Sequence, residues 1–224
     1  MQFILSLGWE EGVADLTERL VKELSSDKKV LWLVTGGSNI DASVTIMENI
    51  ADELSSKLSV MLADERYGAV GHADSNWAQL LAAGFDGKQA TLLPILREGD
   101  SFEQAATHFD ELVNQAFDNN DVLIAQMGIG PDGHISGILP NSPATTETDA
   151  LVTHYEGGGY QRLTTTFAAL KHITADYSFA FGDGKKEALT ALHDQDLSLV
   201  EQPSQILKQL PEAYVYSDQV GDHK

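Results

Sequence analysis

Asp132 and His134 stand two residues apart in the run Met127 to Pro140, MGIGPDGHISGILP, and together they are equipped to move a proton. A neutral imidazole can take a proton from water. A carboxylate on its other ring nitrogen fixes the tautomer and stabilises the imidazolium that forms. A base placed this way contributes about 10² to 10⁴ in rate. Glycines at 128, 130 and 133 allow backbone conformations that a Cβ forbids, so the turn can aim side chains into a cleft at the end of a strand. The same letters also fit an ordinary turn whose aspartate accepts backbone N–H bonds beside an incidental histidine.

Three further clusters carry candidate chemistry. Gly36, Gly37 and Ser38 follow an apolar run and can turn backbone N–H groups and a hydroxyl toward a phosphate at a helix N-terminus, although GGS is also a plain tight turn. In ADERYG, Asp64 and Arg66 fall on one side of an extended chain and Glu65 on the other; a solvated, charged strand end is the competing reading. Arg162 in RLTTTF and Lys185 in GDGKKEA are cations beside predicted strand ends, one a planar fork for phosphate and the other a point charge. Surface solvation accounts for either one taken singly. The remaining histidines, 72, 108, 154, 172, 193 and 223, form no metal-ligand spacing, and cysteine is absent, so neither a metal site nor thiolate chemistry is expected.

The elements that must position these residues follow from periodicity. Val13 to Leu24 has a helical stripe, VLWLV (30–34) reads as a buried strand, and SVTIMENIADEL (43–54) resumes helical spacing. LSVMLAD (58–64) is a second strand, Val122 to Met127 a third, Ser178 to Phe181 a fourth and AYVYS (213–217) the last. Helices are predicted over 75–83, 101–117 and 185–192. Strands alternating with helices predict an α/β chain: a mainly parallel sheet with helices on both faces, as one domain over 1–224. No GxGxxG follows the first buried strand, which argues against a dinucleotide oxidoreductase.

Fourteen basic against 34 acidic residues give a formal charge of −20. No nucleic-acid or membrane partner is expected from long-range attraction, and an anionic substrate requires a local cluster of cations. The opening MQFILSLGWEEG has no basic n-region and no cleavage signal, which leads us to expect a cytoplasmic protein.

Taken in order, LVTGGS (33–38), DERYG with DSN (74–76), MGIGPDGHISGILP, RLTTT (162–166), GDGKKEA (182–188), and QPSQIL followed by AYVYSD resemble the sugar-phosphate lactonase and deaminase superfamily, and within it the 6-phosphogluconolactonases. The resemblance implies a three-layer Rossmann-like fold and hydrolysis of 6-phospho-D-glucono-1,5-lactone to 6-phospho-D-gluconate in the oxidative pentose phosphate pathway. It implies His134 as general base oriented by Asp132, and Gly36, Gly37, Ser38, Asp64, Arg66, Arg162 and Lys185 around the substrate. The expected partner is a small phosphosugar lactone, with no cofactor, and the expected assembly is a monomer or weak homodimer. Glucosamine-6-phosphate deaminases, also similar, characteristically carry a glutamate where Leu139 stands, which favours hydrolysis over deamination. A catalytically silent sugar-phosphate sensor is a further alternative. Asn39 and Ile40 after GGS, Gly68 and Ala69 after DERY, EGGGYQ (156–161) and Ala168 depart from the family's usual letters. They predict an altered phosphate loop and a more flexible segment before Arg162.

Overall fold

In the computed structural model, which describes residues 1–222, the VLWLV run is β2, Val30–Val34, and all five of its residues are buried. A strand covered on both faces reads as a continuous apolar run, and this one lies inside a seven-stranded sheet in which every pairing is parallel. The other strands of that sheet are β1 (Gln2–Leu5), β3 (Leu58–Leu62), β5 (Thr91–Leu93), β6 (Val122–Gly128), β9 (Ala175–Phe179) and β10 (Glu212–Ser217). Their spatial order is β1-β10-β9-β6-β2-β3-β5. Helices α1 (Glu10–Ser25), α2 (Ile40–Glu48), α3 (Asp52–Ser55), α4 (Asn76–Ala82), α5 (Phe102–Asn119), α6 (Phe167–Leu170) and α7 (Lys186–Asp194) flank the sheet, giving the Rossmann-like α/β architecture.

This order has a functional corollary. From β2 the chain continues to β3 on one side, and from β6 it continues to β9 on the other, while β2 and β6 are neighbours. Their carboxyl ends therefore open a crevice between diverging loops, the place where open α/β sheets take ligands.

Several boundaries differ from the periodicity. The stretch 43–54 is two helices, because Asn49 donates back to the Thr45 carbonyl and Ala51 is extended. The fourth predicted strand starts at Ala175 and stops at Phe179 rather than running to Phe181. The chain's opening apolar run is the edge strand β1, paired with β10 at the far end of the sequence.

The largest departure is a second sheet. Asp64–Arg66 is a separate strand, β4, paired antiparallel to β8 (Tyr160–Thr165), which pairs in turn with β7 (Val152–Gly157). EGGGYQ is thus the end of one strand, a turn at Gly158–Gly159 and the start of the next, not a loop. Arg162 lies inside β8 rather than beside a strand end.

Candidate active site

The dyad is built by one local turn. After β6, the Gly130 N–H donates to the His134 carbonyl at 2.9 Å and the Gly133 N–H to the Gly130 carbonyl at 3.0 Å, closing a small loop. Across it, His134 Nδ1 lies 2.6 Å from Asp132 Oδ1, whose oxygen also accepts the His134 backbone N–H at 3.2 Å. Only glycine fits at 130: a Cβ there would stand 2.0 Å from His134 Nδ1 and 2.6 Å from Asp132 Oδ1. Burial works to raise the Asp132 pKa, but the hydrogen bond and charge of His134 outweigh it and hold the carboxyl down at about 2. An ionised carboxylate only accepts, so Nδ1 carries a ring proton, and in the neutral imidazole the lone pair is on Nε2.

His134 lines a cleft of about 210 Å³ at the β2/β6 switch point. Gly36, Gly37, Ser38, Asp64, Arg66, Arg162 and Lys185 line it too, so the structure brings all the residues singled out for substrate binding to one place. Asp132 stands outside the lining, hydrogen-bonded to His134 behind the cleft wall.

The loop after β2 folds into a 3₁₀ turn over Gly37–Asn39. Asn39, one of the departures from the family's letters, anchors it: the Asn39 amide donates to the Met127 carbonyl at 2.9 Å, and Gln126 Nε2 donates to the Asn39 carbonyl at 3.1 Å. The Ser43 hydroxyl donates to Gln126 Oε1 at 2.9 Å, so the loop is clamped to β6 by three buried side chains. Gly36 meets a different constraint, since a Cβ there would lie 2.1 Å from Asn76 Oδ1.

The opposite rim comes from the small sheet. Arg66 and Arg162 are register partners on β4 and β8. Arg66 Nη1 donates to the Asp74 carbonyl at 3.1 Å and Arg162 Nε to the Gly157 carbonyl at 2.9 Å. Among the described residues neither has a carboxylate within ion-pair distance, whereas Arg19 pairs with Glu23 and Glu212, and Arg97 with Asp100. Arg66 Nε is buried with no acceptor. In a chain with 34 acidic residues, two arginines left unpaired on one cleft form the local cation cluster that an anionic ligand requires. Lys185, in the 3₁₀ turn before α7, donates to the Ile129 carbonyl; burial lowers its pKa and nearby Asp132 opposes that shift. Asp64 is buried in the same cleft, and burial raises its pKa against the opposing pull of Arg162, His134 and Arg66.

The reading of DER as a solvated strand end fails at Glu65, which is fully buried. Its carboxylate accepts from the backbone of Arg66 at 2.7 Å, Asn76 at 2.7 Å and Trp77 at 3.0 Å, and from the Ser75 hydroxyl at 2.9 Å. Burial pushes its pKa up against those four donors. Glu65 thereby ties β4 to the N-terminus of α4, where negative charge is favoured, and sets Asp64, Arg66 and Asn76 relative to one another. Ser136 was also missed. It holds a left-handed φ of 52° while its hydroxyl donates to the Ala63 carbonyl at 2.9 Å, joining the turn after β6 to the end of β3. Leu139 packs at the β7–β8 turn, within reach of Gly157 and Gly158.

Among the described residues no group of three or more metal-ligand side chains is placed to hold a metal, and His223 lies outside them. Nor is any helix there long and apolar enough to cross a membrane. A second cavity of about 240 Å³ lies between α1 and the β1–β10 edge, where Arg19 is paired with Glu212 and the Tyr216 hydroxyl donates to Asp15.

The family described as glucosamine-6-phosphate isomerases/6-phosphogluconolactonase matches residues 9–216. A 6-phosphogluconolactonase of Synechocystis is 25% identical over 227 aligned residues, covering 96% of this chain and 92% of its relative. Among solved structures, the 6-phosphogluconolactonase of Thermotoga maritima superposes with a TM-score of 0.79 at 20% identity, over 96% of this chain and 99% of that one. A monomeric glucosamine-6-phosphate deaminase gives the same TM-score at 16% identity, over 97% of each chain. The two superpositions establish a shared fold and do not separate the two activities. The family match covers nearly the whole sequence, and the chain belongs to that family.

Proposed function

We propose that this member of the glucosamine-6-phosphate isomerase/6-phosphogluconolactonase family hydrolyses 6-phospho-D-glucono-1,5-lactone to 6-phospho-D-gluconate. The observation that carries the reading is the 2.6 Å contact between His134 Nδ1 and Asp132 Oδ1 on the wall of a cleft whose two arginines lack carboxylate partners. His134 Nε2 takes a proton from a water as its oxygen attacks the lactone carbonyl carbon. The negative charge on the former carbonyl oxygen is met by backbone amides at the cleft. Collapse of the tetrahedral intermediate breaks the bond to the ring oxygen, which receives the proton from the imidazolium, and the new carboxyl group ionises in water. Asp132 stays ionised throughout, orienting the ring and stabilising its cation.

Gly36, Gly37, Ser38, Arg66, Arg162 and Lys185 hold the phosphate, while Asp64 accepts from sugar hydroxyls or balances Arg66 and Arg162. No cofactor enters any of these steps. The place of the reaction is the oxidative pentose phosphate pathway in the cytoplasm, carried out by a monomer or weak homodimer. Leu139 favours hydrolysis over deamination, because an apolar side chain cannot shuttle the proton that ring opening of an amino sugar demands.

The test is a pair of assays on one preparation. Lactone generated fresh from glucose 6-phosphate should disappear faster with the protein than without it, while glucosamine 6-phosphate should release no ammonia. Ammonia release without faster lactone loss would replace this reading with the deaminase.

A further inference from the structure

Tyr160 does not line the cleft, yet the two unpaired guanidiniums both lie over its ring. Arg66 Cζ stands 4.7 Å and Arg162 Cζ 5.6 Å from the ring centroid. The arrangement follows from strand geometry. Tyr160 precedes Arg162 by two residues on β8 and so shares its face, and Arg66 lies opposite Arg162 on β4. Two like charges directly opposite one another destabilise a sheet, and here neither has a carboxylate within ion-pair distance among the described residues, Asp64 acting on both from farther off.

Each guanidinium has one tether to a backbone carbonyl, Arg66 to Asp74 and Arg162 to Gly157. One hydrogen bond fixes a point on a long side chain and leaves the plane of the fork free to turn. The negative aromatic surface that both cations lie over supplies a second restraint on each and offsets their repulsion. Resting on the reading of this cleft as a phosphosugar site, we propose that Tyr160 is a positioning residue that sets Arg66 and Arg162 as a two-pronged grip for the substrate's anionic group, and so selects phosphorylated lactones over their unphosphorylated counterparts. The aromatic ring performs this role; the hydroxyl is dispensable.

The test compares Tyr160→Phe, which keeps the ring, with Tyr160→Val, which removes it but suits a strand; Tyr160→Thr gives the same reading should the valine variant fail to fold. In the Val variant KM for the phosphorylated lactone should rise roughly 5- to 30-fold and the dissociation constant of inorganic phosphate should weaken by a similar factor, from two cation–π contacts of modest strength. Its kcat should stay within about twofold of wild type, and its turnover of unphosphorylated D-glucono-1,5-lactone should be unchanged. The Phe variant should match wild type in every measurement. Unchanged phosphate affinity in the Val variant, an equal loss in the Phe variant, a fall in kcat alone, or no phosphate binding by wild type would each overturn the assignment. Phosphate titration requires no turnover. A chain that binds phosphate through the ring yet hydrolyses no lactone would overturn the proposed activity and leave the role of Tyr160 standing.

Discussion

The turn after β6 and the rim formed by β4 and β8 face the same cleft but are assembled in opposite ways. Asp132 and His134 meet through one short loop, closed by two backbone hydrogen bonds and permitted by the bare Cα of Gly130. Arg66 and Arg162 come from distant parts of the sequence and meet only because β4 pairs with β8. The turn is therefore a self-contained piece of acid–base chemistry, and the rim is a tertiary construction that depends on buried supports such as Glu65. Damage to the turn should remove chemistry and spare anion binding, and damage to the rim should do the reverse.

Among substitutions that leave the imidazole in place, the largest effect should come from Asp132→Asn. An amide in place of the carboxylate removes the negative charge that stabilises the imidazolium and can turn an NH2 donor toward Nδ1, and kcat should fall by roughly 10² to 10⁴ with the phosphate dissociation constant unchanged. Steady-state kinetics beside phosphate calorimetry check this, and a parallel loss of phosphate affinity would break the division between the regions. Arg162→Ala should show the mirror image, with KM raised roughly 10- to 100-fold and kcat at saturation nearly retained.

Glu65→Gln tests how far the rim leans on its support. One of the two acceptor oxygens becomes a donor facing donors, so thermal unfolding should reveal a loss of about 1–3 kcal/mol, accompanied by a higher KM. A variant as stable as wild type would mean that Glu65 is not the tie described. The smallest effect on the cleft, none at all, is expected for Asp176→Asn. Asp176 is fully buried on β9, one oxygen accepts from Ser178 and the other has no partner, and burial raises its pKa to about 7. A folded-state pKa above the unfolded value, about 3.9, favours the fold below pH 4. That contribution is lost as pH rises through 7. The asparagine variant should match wild type in stability at pH 4 and exceed it by roughly 2–4 kcal/mol at pH 8, with kcat/KM unchanged. Equal stabilities at pH 8 would show that the carboxyl ionises without penalty.

The same contrast explains what the sequence disclosed. The β2 and β6 runs, the helical stretch that became α5 and the DGH turn are local patterns, and each was legible from spacing alone. The small sheet was not, because β4 is only three residues long and reads as the tail of β3, while β7 and β8 are joined through glycines that read as a loop. Glu65 was hidden by its type: a charged residue is normally exposed, and the four donors that make its burial tolerable, from Arg66, Ser75, Asn76 and Trp77, come together only in the folded chain. Asn39 shows the converse, a departure from the family's letters that the fold accommodates by anchoring the loop to Met127.

The most direct test of the central claim is His134→Ala, assayed for turnover of fresh 6-phospho-D-glucono-1,5-lactone and for phosphate binding in the same preparation. The account predicts wild-type phosphate affinity together with lactone loss near the spontaneous rate. Near-normal turnover by this variant would contradict it.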